Sequence, residues 1–337
     1  MKLLEFRSPK LLYFEKVMPL APFKKKELDS ISLRKAISPR DPNSVNFFLS
    51  PSNALEKWAK DIDLKPGDCV GLIAPYPKEF QKIVLTKGAH IRLLPRDPDD
   101  LLNLDFTPFK AIMLSNPNLA DSFYYPDGIY QSLFAKFRSF PNLEILSEES
   151  LMEFFRHQEY PAPGSLAKFN HPKLSLLSGV YSFSADTLSW LVQPSRNALR
   201  QEITLRALPP TLHALLTLKE ARRFKQFSKR LFVMEHNLLR FANDLRPALL
   251  TKKVGVAFWP RPRALYVMID ISKILIEQRC SVETWVKNLE QETGLLVDAG
   301  SHFGAPQSIR VCLAYGFRHL RKVTDILTKH LCSNKDI

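Results

Sequence analysis

The chain has 337 residues, room for about two domains at ~150 residues each, and its 45% hydrophobic and 24% charged content is that of a folded rather than a disordered protein. Forty-eight Lys and Arg against 34 Asp and Glu give a net charge of +14, which raises the question of an anionic partner. With only 11 glycines and neither G-x-G-x-x-G nor G-x-x-x-x-G-K-[ST] in the sequence, the common nucleotide-binding loops are excluded, because their backbones must approach phosphate closely.

Residues 1–45 are rich in Lys, Pro and Ser and read as an irregular arm with one short helix, Lys24 to Ala36. Leu55, Trp58, Ala59 and Ile62 recur at helical spacing and predict a helix over Ser52 to Ile62, with Ser52 able to cap it. Pro66-Gly67-Asp68 is a turn, and Cys69 to Ile73 is a short apolar run that reads as a buried strand. A helix over Lys78 to Lys87, strands at Ala89–Leu94 and Ala111–Leu114, a helix over Tyr125 to Phe137 and a strand at Leu143–Leu146 follow. Leu174–Leu177 and Thr187–Val192 read as two more strands. Strands alternating with helices through short connections predict an α/β domain with a mostly parallel sheet.

From Pro194 a basic helical region runs to about Asn243. Strand-like segments at Val254–Trp259 and Ala264–Ile271 come next, then a helix near Val282–Glu292, strands at Gly294–Asp298 and Ile309–Ala314, and a closing helix. This last part reads as a smaller α+β domain. The expected division is an arm over 1–45 joining the small domain, a large α/β domain over 46–240 and a small C-terminal domain over 241–337.

Ala264–Ile276 is broken by Asp270 and Lys273, short of the ~20 apolar residues a membrane helix needs. Glu5 and Arg7 interrupt the apolar core that a signal peptide would carry. The four cysteines, Cys69, Cys280, Cys312 and Cys332, are far apart, which argues against zinc or a disulfide framework and leads to an expected cytoplasmic location.

Several short motifs follow one another in a set order. They are Lys65-Pro66-Gly67-Asp68-Cys69-Val70, Ala74-Pro75-Tyr76-Pro77, Gly88-Ala89 with Leu93-Leu94-Pro95, Asn116-Pro117-Asn118, Leu146-Ser147-Glu148-Glu149 and Leu188 to Pro194. The tail adds Ala299-Gly300-Ser301-His302-Phe303-Gly304 and Ile309-Arg310-Val311-Cys312-Leu313-Ala314. Over residues 45 to 330 this order resembles the class I/II aminotransferases, the fold-type I group of pyridoxal-phosphate enzymes. The resemblance implies their fold, a large domain with a mostly parallel sheet flanked by helices plus a smaller α+β domain. It also implies a homodimer, with active sites completed across the subunit interface.

Carried over position by position, the resemblance departs from the family where the chemistry lies. The lysine that forms the Schiff base falls on Gly179, which has no amine. The nearest lysines, Lys168 and Lys173, precede the strand at Leu174 and are expected at its far end. The phosphate-contacting arginine falls on Thr187, the asparagine that contacts the ring hydroxyl on Leu119, and a family tyrosine on Leu151. Pro-Thr-Gly reads Ala120-Asp121-Ser122. Glu148 stands where an aspartate pairs with the pyridine nitrogen, Tyr76 where an aromatic stacks on the ring, and Ser50, Ser52 and Asn53 in the phosphate loop. Arg310 keeps the substrate-carboxylate position.

The expected function is therefore a degenerate aminotransferase-like protein without a bound cofactor, acting as a small-carboxylate-binding or protein-partner subunit. One alternative is an active transferase that uses pyridoxal phosphate through Lys168 or Lys173. Another is a polyanion-binding module using the basic stretch Arg196 to Arg230, although no nucleic-acid motif accompanies that stretch. Each site residue also has a plainer reading: Ser50 or Ser52 as a helix cap, Glu148 as an acid at a strand end, Tyr76 as packed aromatic surface, Arg310 in a structural salt bridge and His302 as polar surface.

Overall fold

The computed structural model describes residues 50–118, 120–121, 123–150, 165–180, 188–193, 266–313 and 317–332, with shorter pieces at 4–5, 45–48, 236, 239–241, 243–245 and 255–258. The expected helix at Lys24–Ala36, the basic stretch Arg196–Arg230, Leu119, Ser122, Leu151 and Thr187 lie outside the described residues. The chain divides into two compact units. One comprises Pro19–Leu119 and Tyr124–Ala221; the other comprises Met1–Met18, Ala120–Phe123 and Arg222–Ile337.

The larger unit is built on a seven-stranded sheet. Its strands are β2 (Val45–Phe48), β3 (Cys69–Ile73), β4 (His90–Leu94), β5 (Ala111–Ser115), β6 (Glu144–Glu148), β7 (Leu174–Val180) and β8 (Leu188–Val192), in the order β2-β8-β7-β6-β5-β3-β4. The run from β7 to β4 is parallel, while β8 lies antiparallel between β7 and β2. Ala111 to Leu114 are all buried, as expected of a central strand covered on both faces.

Helix α1 (Pro51–Asp61) starts one residue earlier than its periodicity suggests, and its cap is Ser50, not Ser52. The Ser50 Oγ accepts the Asn53 N–H at 3.1 Å, and Pro51 occupies the first turn, where a missing N–H costs nothing. Trp58, Leu55 and Ala59 of α1 pack with Phe80, Ile83 and Val84 of α2 (Lys78–Thr86) over Val70, Leu72, Met113 and Leu146. Alternation along the strands turns Ile112 and Leu114 to the opposite face. The short α3 (Pro98–Asn103), unmarked by periodicity, is fixed by Asp97, whose Oδ1 accepts the N–H groups of Asp99 and Asp100 at 2.9 and 3.3 Å. Helix α4 (Asp127–Phe137) buries Tyr130, Leu133, Phe134 and Phe137, with Phe137 edge-on to Phe106 at 5.1 Å between ring centroids.

The smaller unit holds an antiparallel sheet in the order β12-β13-β10-β9, from β9 (Gly255–Phe258), β10 (Tyr266–Asp270), β12 (Asp298–Ala299) and β13 (Ser308–Cys312). A two-residue parallel bridge pairs β1 (Leu4–Glu5) with β11 (Leu295–Leu296). Helices α5 (Ser272–Glu277), α6 (Val282–Thr293) and α7 (Phe317–Cys332) belong to the same unit. Gly300 is required by space: a Cβ there would stand 2.3 Å from the Ala305 carbonyl oxygen and 2.4 Å from that of Ser308.

Candidate functional site

In open α/β sheets ligands bind outside the carboxyl ends of the parallel strands. At that edge β3 leads into Ala74-Pro75-Tyr76-Pro77, β5 into Asn116-Pro117-Asn118, and β6 into Glu149-Ser150, while β7 continues to Val180. Because β2 runs parallel to β7, its exit brings Ser50 and the N-terminus of α1 to the same edge.

Glu148 is the hub. It is 1% exposed, its Oε2 accepts the Ser115 hydroxyl at 2.8 Å, and its Oε1 accepts the Ser150 N–H at 2.8 Å. Its backbone carbonyl accepts the Asn116 N–H at 2.7 Å. Burial pushes this carboxyl above the ordinary glutamate range, and the bonds from Ser150 and Ser115 partly offset the effect. Asn118 donates its side-chain amide to the Pro75 carbonyl, which ties the loop after β5 to the loop after β3. The Tyr130 hydroxyl donates to Asn116 Oδ1 at 3.2 Å. Tyr76 is buried, and burial raises its phenol.

The other candidates sit differently. Ser50 spends its hydroxyl on the helix cap, and the side chains of Ser52 and Asn53 are exposed. Gly179 lies in β7 two residues beyond Leu177, the register partner of Glu148, and pairs with Ser189 of β8. Lys173 lies at the opposite edge, where its Nζ pairs with Glu144 Oε1 at 2.5 Å. Glu144 and Glu148 are the two ends of β6, about 13 Å apart at ~3.3 Å per residue. Lys168, in a 3-10 turn over Leu166–Phe169, pairs with Asp127. Lys78, the first residue of α2, is exposed.

In the smaller unit Arg310 is 8% exposed and held internally. Its Nε and Nη2 both donate to Asp298 Oδ2, at 3.0 and 2.6 Å. Its guanidinium carbon lies 4.1 Å from the Tyr266 ring centre and 4.0 Å from that of Phe303. His302 is exposed. An open cleft of about 620 Å³ in this unit is lined by Arg240, Asp244, Arg321, Asp325, Thr328 and Lys329, a charged lining unlike the apolar walls of most ligand pockets.

Sequence reasoning did not single out Ser115, Asn118 or Ser150 as partners in the site. The available signal was position, since Ser115 directly precedes Asn116-Pro117 and Ser150 stands two residues after Glu148, the spacing at which a carboxylate accepts from the backbone N–H two residues further on. Among the described residues no group of three or more His, Cys, Asp or Glu is arranged to hold a metal, and no helix is long and apolar enough to cross a membrane.

No family model matches the sequence, and no curated protein matches it. Solved structures do. The chain is similar to aspartate aminotransferase from Thermus thermophilus with maleate, at 18% identity and a TM-score of 0.71, over 97% of this chain and 91% of that one. Aspartate aminotransferase from Thermotoga maritima aligns at 15% identity and a TM-score of 0.71, over 98% of this chain and 92% of its own. A protein from Methanococcus jannaschii, described as similar in its active site to kynurenine aminotransferases, aligns at 17% identity and a TM-score of 0.70, over 98% and 92%. The chain has the aminotransferase fold over nearly its whole length.

Proposed function

We propose that this chain, built on the aminotransferase fold, is a degenerate member that does not carry out pyridoxal-phosphate chemistry and serves as a protein-partner subunit, itself a homodimer. In this reading the unit of Pro19–Leu119 and Tyr124–Ala221 is the cofactor-type domain, and the unit of Met1–Met18, Ala120–Phe123 and Arg222–Ile337 is the small one. The observation that carries the reading is Gly179 on β7, level with the end of the sheet where Glu148 is buried. When bound, pyridoxal phosphate withdraws electrons from an amino acid held on it, and a lysine amine is needed to hold the group and to move the proton.

The described residues at this edge do not fit that group. Glycine offers no amine. The Glu148 oxygens accept one bond each, from Ser115 and Ser150, and each keeps a second lone pair, so the misfit lies in the missing amine and not in this carboxylate. Lys168 and Lys173, the amines an active enzyme would need, stand in ion pairs, and Lys173 is at the far end of the strands. Ser52, Asn53, Tyr76 and Glu148 are then vestiges of a cofactor site. Arg310, 8% exposed, enclosed by the Tyr266 and Phe303 rings and with two of its five N–H groups on Asp298, favours a partner subunit over a small-carboxylate binder.

The test is an absorption spectrum with added pyridoxal phosphate, before and after dialysis, followed by borohydride reduction and peptide mapping. The expected result is no band that survives dialysis and no reduced adduct. An adduct mapped to Lys78, Lys168, Lys173 or any other lysine, with a band that shifts on adding an amino acid, overturns the reading.

A further inference from the structure

We draw no further inference here: the strongest candidate, the open cleft of the smaller unit lined by Arg240, Asp244, Arg321, Asp325, Thr328 and Lys329, sets carboxylates among its cations so that no ligand charge is selected, and nothing in the structure shows what covers it.

Discussion

Replacing Glu149 by glutamine tests the energetics of the strand-end network most directly. Glu149 is 6% exposed, and its Oε1 accepts the Ser147 hydroxyl at 3.2 Å and the Leu166 N–H at 2.8 Å. Burial pushes its carboxyl up to about 7 from the ordinary 4.5, against the hydrogen bonds from Ser165, Leu166 and Ser147, and the adjacent Glu148 charge adds to the rise. The folded chain therefore holds a proton that the unfolded chain releases between these two values. Stability is fully present below pH 4.5, declines as pH rises to about 7 and is flat above it. Over that window the loss is about 3 kcal/mol. Glu148, shifted the same way, steepens the decline. Glu149→Gln keeps the accepting oxygen and abolishes the titration. Urea unfolding followed by tryptophan fluorescence at pH 5, 6, 7 and 8 reads the effect, with Trp58 buried in the same unit. The variant is expected to match the parent near pH 5 and to exceed it by about 3 kcal/mol at pH 8. Parallel pH profiles, or a variant weaker than the parent at pH 8, would refute the reasoning.

Two further predictions concern the smaller unit. Gly300→Ala forces a Cβ against two backbone oxygens that cannot swing aside, and a loss of about 3 kcal/mol in urea unfolding is expected; an unchanged midpoint would mean the loop relaxes freely. Asp298→Ala strands the buried Arg310 charge and is expected to cost about 3 kcal/mol. Arg310→Met, which keeps apolar contact with Tyr266 and Phe303, is expected to cost clearly less, so equal losses from the two changes would count against the ion-pair account.

Most of the large sheet was legible in the residues, because apolar runs such as Cys69–Ile73 and Ala111–Leu114 are short, bounded by turns and buried on both faces. Strand β7 runs to Val180, three residues past the expected Leu177, because backbone pairing with β8 carries it on where apolar alternation fades at Ser178-Gly179. The start of α1 is ambiguous in the residues because Ser50 and Ser52 are both good caps, and Pro51 between them decides for the first. Short α3 carries too few residues for a period, and its signal was the Asp97-Pro98 pair. At the strand ends, Glu148 and Tyr76 could be named from the order of motifs. Their partners Ser115 and Ser150 come from a neighbouring strand and a local turn that only three dimensions bring together. For the same reason nothing in the residues assigned Asp298 to Arg310 across two antiparallel strands.

The pairing of β1 with β11 also sets a timetable. Leu4 cannot meet Leu295 until the ribosome has added roughly 290 residues, which at about 5–20 residues per second takes on the order of 15–60 s. β2 waits likewise for β8, so its apolar Val45–Phe48 stays unpaired until residue 192 has emerged. The newborn chain therefore spends much of its synthesis with strand edges open to other nascent chains. Its yield in cells should depend on chaperones that cover those edges, and more steeply so as translation slows.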